Sequence, residues 1–261
     1  MSIPVSHRHV RQNVRKLFLL ISFVLFPITF YYLSPYLIIM GAGERTASGS
    51  MVIFALLLVT AIVLGRLYCS WICPGAGLQE ALFPVQNRRA DNRFNWTRWL
   101  VWIPWMTVVV LTALRAGGIQ HVNFTYQTAH GVSLTTADGA GSYYMYFLVL
   151  AVFFVLSLAA GKRAMCHHAC WMAPFMMIGR GIRNVLHLPA VQLQADSSAC
   201  VACNACTAAC PMSLDVHAMV ASQHMENSEC ILCGTCVDTC PRKVIRYSFG
   251  KPRSMHEIQG K

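Results

Sequence analysis

The chain has 261 residues, of which 56% are hydrophobic and only 12% charged, about half the charged share of a typical soluble protein. Twenty-one Lys and Arg against ten Asp and Glu give a net charge of +11. The apolar excess argues against a soluble basic protein that binds nucleic acid, and it favours a membrane protein.

Four apolar segments without an ionisable residue predict four transmembrane helices. They are Leu17 to Met40, Met51 to Gly65, Trp99 to Leu114 and Tyr143 to Ala160. Pro27, Pro35 and Pro104 are expected to kink these helices. The first segment lacks a small-residue cleavage site, so it is expected to be retained rather than removed as a signal peptide.

The distribution of Lys and Arg predicts the orientation of these helices. From the N-terminus, the five segments outside the spans carry four, one, five, one and ten basic residues. Because cytoplasmic segments accumulate Lys and Arg, both termini are predicted to be cytoplasmic in a bacterial or archaeal inner membrane. The loop from Ala116 to Ser142, which faces the other side, is expected to offer a docking surface for a partner.

Two cysteine runs, offset by 30 residues, follow the apolar part. They are Cys200-x2-Cys203-x2-Cys206-x3-Cys210-Pro and Cys230-x2-Cys233-x2-Cys236-x3-Cys240-Pro. This is the bacterial ferredoxin pattern, in which the fourth cysteine of each run ligates the other [4Fe–4S] cluster. Zinc would favour separated pairs, and disulfides are rare in the cytoplasm.

The cluster ligands are assigned from that pattern. Cluster one is predicted to use Cys200, Cys203, Cys206 and Cys240, and cluster two Cys230, Cys233, Cys236 and Cys210. A short helix is expected within residues 215–225, between the runs. The domains are predicted as a membrane domain over residues 1–190 and a cytoplasmic α+β 2[4Fe–4S] ferredoxin domain over residues 191–261.

The other four cysteines form two similar pairs. Cys69-x3-Cys73 follows the second apolar segment and Cys166-x3-Cys170 the fourth. The membrane domain is therefore interpreted as two parallel-repeat hairpins, each ending in a cysteine pair at the cytoplasmic face. If a helix continues through a pair, both cysteines share one of its faces.

Three interpretations of these four cysteines stay open. Four converging thiolates suit a further iron–sulfur cluster or a mononuclear tetrathiolate iron. The cysteines also suit a dithiol switch, or simple burial as small apolar side chains. His167 and His168, inside the second pair, are expected at the lipid interface rather than as ligands, and residues 170–183 are expected to form an interfacial helix.

The stretch Gly65-Arg-Leu-Tyr-Cys-Ser-Trp-Ile-Cys-Pro74, the second pair and the two ferredoxin runs resemble the NapH-like membrane polyferredoxins, which are related to NosR- and CcoG-type proteins. The resemblance covers nearly the whole chain and implies a four-helix membrane component of a quinol dehydrogenase. It departs from the family pattern at Trp171, where the second pair lacks the proline that follows the first.

The sequence therefore predicts an electron-transfer subunit, either non-catalytic or oxidising quinol. It would relay electrons between cytoplasmic donors or the quinone pool and a periplasmic oxidoreductase, such as a cytochrome or an iron–sulfur subunit. The alternative is a redox sensor or metal-cofactor assembly factor. Uncharged spans disfavour a pump, and Gly75-Ala-Gly77 is not a dinucleotide fingerprint.

Four residues were considered for a quinone site near a membrane face, although loop or helix-cap roles are expected for each. They are Gln79, Glu80, His121 and His130.

Overall fold

The first apolar segment is broken into several helices. The computed structural model describes residues 6–133 and 140–252. The segment comprises α1 (Ser6–Val24), α2 (Phe26–Thr29), a 3-10 turn (Phe30–Leu33) and α3 (Pro35–Gly43). The chain bends by 62° between residues 10–24 and 26–33. The single helix predicted over Leu17 to Met40 is therefore wrong, because Pro27 and Pro35 lack the N–H that an α-helix needs.

The next helices alternate between long and short. They are α4 (Gly49–Leu64), α5 (Leu67–Trp71), α6 (Pro74–Ala81), α7 (Thr97–Ala116), α8 (Ala140–Ala160), α9 (Ala164–His168) and α10 (Ala173–Val185). Helix α4 ends at Gly65, whose φ is +56°, and α8 is followed by Gly161, whose φ is +96°. These conformations favour glycine, so each long helix stops just before a cysteine pair.

Two helices in the described part of the chain are long and apolar enough to cross a membrane, within Asn92–Ala116 and Tyr143–Ala160. Most of their apolar side chains are exposed, as expected for contact with lipid. The bent pair formed by residues 10–24 and 26–33 passes the same test as one unit, whereas α4 is shorter. The chain is thus mostly helical, with two or three candidate spans.

A small parallel sheet ties the connections at the far end of these helices together. Its strands are β1 (Thr46–Ser48) and β2 (His121–Asn123), with Thr46 opposite His121. The side chain of Tyr32 donates to the carbonyl of Gly131 at 2.9 Å. The predicted outer loop is therefore anchored up to Ser133, while residues 134–139 lie outside the described ranges.

The C-terminal part has the α+β arrangement expected from its repeat. Strands β3 (Ala190–Ala195) and β4 (Ile245–Gly250) pair antiparallel around α11 (Ala205–Ala209), α12 (Val216–Ala221) and α13 (Thr235–Thr239). The predicted short helix is α12, and Asp215 caps it by accepting from the backbone N–H of Ala218 at 3.1 Å.

This C-terminal part docks on the helices at the end that carries the cysteine pairs. Arg11 of α1 forms an ion pair with Asp238 of α13 at 2.6 Å. Helix α10 lies where a helix joining the membrane and ferredoxin parts was predicted. It packs so closely on α4 that a Cβ at Gly179 would lie 2.4 Å from the carbonyl oxygen of Leu58.

Candidate metal centres

The four cysteines predicted for cluster one surround one cavity. Cys200, Cys203 and Cys206 from the first run line it together with Cys240 from the second. Burial raises the pKa of the Cys206 thiol, and the nearby Cys240 adds to the shift. The structure thus brings the fourth cysteine of one run to the first three of the other.

The reciprocal arrangement holds for cluster two. Cys230, Cys233 and Cys236 line a second cavity with Cys210 of the first run. Burial, followed by the charge of Cys233, raises the pKa of the Cys210 thiol to about 12. Four thiols around an apolar cavity are the donor set that a cubane cluster uses, so both sites fit the predicted group.

The remaining four cysteines converge between the two halves of the helical part. Cys69 lies in α5 and Cys166 in α9, while Cys73 and Cys170 lie just beyond the ends of these helices. All four are buried. Neither pair lies on one continuous helix, because the chain turns at the end of each five-residue helix.

These four thiols, which we call the quartet, are buried in one hydrophobic core and interact electrostatically. Burial raises the pKa of Cys73, and the charges of Cys69, Cys166 and Cys170 add to the effect. Burial and the charges of Cys166 and Cys69 raise the pKa of Cys170 to about 12. Four mutually interacting thiols from two halves of the chain therefore form one site.

The spacing of the quartet bears on the kind of metal it can hold. A tetrahedral ion with metal–sulfur bonds of roughly 2.3 Å places its sulfurs about 3.8 Å apart. Among the described residues, no three His, Cys, Asp or Glu side chains are grouped closely enough to hold one ion. A cubane cluster holds its thiolates farther apart than a single ion does.

Two buried groups of charged residues flank the quartet. In the first, Glu229 accepts from Arg66 at 3.0 Å and pairs with Arg98 at 2.8 Å. In the second, Glu80 pairs with Arg15 at 2.7 Å and also with Arg163. We call these groups the Glu229 triad and the Glu80 triad, and each has two guanidinium groups for one carboxylate.

These arginines are not among the predicted site residues, although the sequence contains a signal for them. Arg66 lies three residues before Cys69, and Arg163 lies three residues before Cys166. Both arginines are fully buried. Arg-x2-Cys-x3-Cys is therefore the repeated unit, and its arginine had been counted only as a cytoplasmic anchor.

Several N–H groups of these arginines lack a hydrogen-bond partner among the described residues. They are Nε and Nη2 of Arg66 and Nε of Arg163. The charge of Arg66 lowers the pKa of Cys69, although burial dominates and keeps that pKa raised. Unpartnered buried donors beside four sulfurs suit an anionic, sulfur-rich group.

The histidines inside the second pair differ in environment. His168 is half-buried, but His167 is fully buried and its Nδ1 lies 3.0 Å from Oδ1 of Asn95. Burial and the charges of Arg98 and Arg66 lower the pKa of His167 to about 3. The expected position of His167 at the lipid interface is therefore wrong.

The residues considered for quinone lie in two different places. Gln79 is buried beside the quartet and the Glu80 side chain is 6% exposed, and both belong to α6, so neither lies in a loop. His121 and His130 are exposed at the opposite end of the helices, in or near the small parallel sheet.

A different cavity, of about 570 Å³, opens between α1, α4, α5 and the C-terminal part. Tyr68, Trp71 and Tyr247 line it together with apolar side chains of α4. Met176 also lines it, and the sulfur of Met176 lies 3.8 Å from that of Cys69. The cavity therefore reaches the quartet through one methionine.

Comparison with known protein families identifies the chemistry. A family model described as a 4Fe-4S binding domain matches the chain twice, over residues 47–90 and 143–187. A second model, described as a 4Fe-4S dicluster domain, matches residues 192–241. No curated protein and no solved structure shows significant similarity to the chain. These matches show an iron–sulfur protein with 4Fe–4S binding domains, consistent with a role in electron transfer.

Proposed function

We propose that this chain is the membrane subunit of an electron-transfer complex, of the type that the NapH-like resemblance implies. It relays electrons between cytoplasmic donors or the quinone pool and a partner redox protein, a cytochrome or an iron–sulfur subunit. Three [4Fe–4S] clusters carry the electrons, two in the ferredoxin part and one held by the quartet. The protein supplies their positions and their electrostatic surroundings.

The observation that carries this proposal is that the three cysteine sets are neighbours in series. Cys206 of cluster one contributes to the raised pKa of Cys236 in cluster two, after burial and nearer thiols. Arg163 interacts electrostatically with both Cys166 of the quartet and Cys233 of cluster two. Each set is therefore adjacent to the next, as a chain of electron carriers requires.

The location in a membrane rests on the apolar helices and on charge. The N-terminal end of α1, the segment with the first cysteine pair and the ferredoxin part all meet at one end of the molecule, for example at Arg11 and Asp238. These are also the segments rich in Lys and Arg. Positive segments at one end support a cytoplasmic position for that end and for both termini.

The proposed link to quinone rests on the cavity beside the quartet. It is lined almost entirely by apolar and aromatic side chains, with Arg11 as its charged residue, and it reaches Met176 next to Cys69. A lipid-soluble carrier with an aromatic head group matches such a lining. Electrons would pass between that carrier and the quartet.

Anaerobic purification with iron counting and an EPR redox titration tests the proposal. Three clusters require about twelve iron atoms per chain, and Cys69→Ser should remove about four of them while Ser70→Ala leaves the count unchanged. A quinol analogue should reduce the clusters in the wild type and fail when Met176→Trp fills the cavity. About eight iron atoms together with oxidisable thiols at the quartet would instead support the sensor or assembly role.

A further inference from the structure

The charges around the quartet do not balance within the protein. Arg66, Arg98 and Arg163 are fully buried, and Arg15 is 3% exposed. The only carboxylates paired with them in the described part of the chain are Glu229 and Glu80. Each triad therefore leaves one net positive charge out of reach of water.

Such buried charge is costly unless a nearby anion compensates it. Backbone carbonyls contribute partial charge only: Arg163 donates to the carbonyl of Cys69 at 2.9 Å, and Arg66 donates to that of Ser228 at 3.1 Å. Among the described residues, Nε and Nη2 of Arg66 and Nε of Arg163 have no hydrogen-bond partner at all. An additional anion is therefore needed between the triads.

We propose that the two triads are the counter-charge of the quartet's cluster and set its reduction potential, with Arg66 and Arg163 donating their free N–H groups to its sulfurs. This inference rests on the proposed function, because it requires the third cluster. A cubane with four thiolates is a dianion when oxidised, so the two positive charges of the triads match it.

The matching charges have a direct consequence for the redox step. A cluster held by the four cysteines would gain one negative charge on accepting an electron from the reduced donor, with no bond broken and no proton transferred. The arginines keep their protons throughout, because a guanidinium group is not deprotonated in proteins. Fixed positive charge stabilises the trianion more than the dianion, so it raises the reduction potential.

The experiment measures the midpoint potential of the third centre in the purified full-length chain by EPR redox titration. Arg66→Gln removes a positive charge and should favour the oxidised state at least tenfold, a fall of about 59 mV for a one-electron couple. Glu229→Gln and Glu80→Gln each leave a triad with an additional positive charge, so each should raise the potential by a similar amount. Arg93→Gln, at an exposed position of the same end of the molecule, is the matched control and should leave it unchanged.

The arginine and glutamate variants are expected to shift the midpoint potential in opposite directions, which makes the test decisive. If the Arg66→Gln protein does not accumulate, either isosteric Glu→Gln variant tests the inference by itself. The third centre remains visible in EPR in these variants. A midpoint potential that shifts by less than a twofold change in the ratio of oxidised to reduced centre would overturn the assignment of the triads. So would a midpoint potential that falls in the Glu→Gln variants. Absence of the third centre from the wild type would instead contradict the proposed function, and this inference with it.

Discussion

The side-chain amide of Gln79 donates a hydrogen bond to the sulfur of Cys166 at 3.3 Å, and the two residues belong to different halves of the helical part. The carbonyl oxygen of the same amide accepts from the backbone N–H of Met165 at 3.1 Å. A single buried side chain of α6 therefore holds the second cysteine pair against the first.

Replacing Gln79 by leucine should destabilise this junction. Gln79→Leu keeps much of the side-chain volume but leaves the N–H of Met165 without its acceptor, at a cost of about 1–3 kcal/mol. Thermal unfolding in detergent should therefore show a lower Tm. Gln120→Leu, at an exposed position, is the control. Equal Tm values for the two variants would contradict the role given to Gln79.

Two glycines of α10 should respond oppositely to alanine. Gly179→Ala places a Cβ 2.4 Å from the carbonyl oxygen of Leu58, so the contact between α10 and α4 must open, at about 1–3 kcal/mol. Gly181 has no atom within 4 Å of the same position, so Gly181→Ala should stabilise α10 by roughly 0.5–1 kcal/mol. The measurement is the Tm of both variants, and a similar loss in each would disprove the close packing.

The proposed crossed ligation of two ferredoxin clusters predicts how variants combine. Cys240→Ala together with Cys200→Ala should lose about four iron atoms, no more than either change alone, because both remove ligands of cluster one. Cys240→Ala with Cys236→Ala should lose about eight. Iron counting on the purified variants distinguishes the two patterns, and the reverse order would show that each run ligates its own cluster.

The stability contributed by the ion pair between Arg180 of α10 and Glu226 of the ferredoxin part should depend on pH. Burial alone would raise the pKa of Glu226, but the hydrogen bond and charge of Arg180, at 2.5 Å, outweigh it and lower this pKa to about 2. Because the folded pKa lies below the unfolded value of 4.5, the stabilisation is complete above that pH and disappears as the pH falls toward 2.

Tryptophan fluorescence during thermal unfolding measures this dependence. Glu226→Gln should lower the Tm near neutral pH, and the difference from wild type should shrink as the pH falls below about 4.5. Glu44→Gln, which removes an exposed carboxylate, should leave the Tm nearly unchanged at every pH. A constant gap between Glu226→Gln and wild type would refute the ion pair as its source.

The ferredoxin part could be anticipated in detail because its ligands follow a fixed local spacing. The offset of 30 residues revealed the repeat, and the short helix predicted within residues 215–225 is α12, which Asp215 caps. The cysteine pairs could likewise be located from sequence. Their convergence was expected from the repeat, since equivalent elements end at equivalent depths.

The surroundings of the quartet could not be predicted, since they depend on contacts between distant segments. Glu229 lies next to a cluster-two cysteine in sequence, yet its carboxylate pairs with Arg66 and Arg98 of the helical part. Counting Lys and Arg between the apolar segments treats every arginine of a loop as exposed to solvent. The count carries no information on which arginines point into the protein. The sequence predicted only a kink at Pro27. The angle of the bend could not be predicted, because it depends on how the neighbouring segments pack.

The Arg-x2-Cys-x3-Cys unit also constrains how the protein is made. Each copy supplies half of the quartet site, so neither hairpin can retain the cofactor before the other has been synthesised. During translation the quartet becomes complete with Cys170, cluster two with Cys236 and cluster one with Cys240. In the proposed arrangement the long helices up to α8 are therefore synthesised before any site is complete, and a ribosome stalled before residue 170 leaves a nascent chain with no complete site.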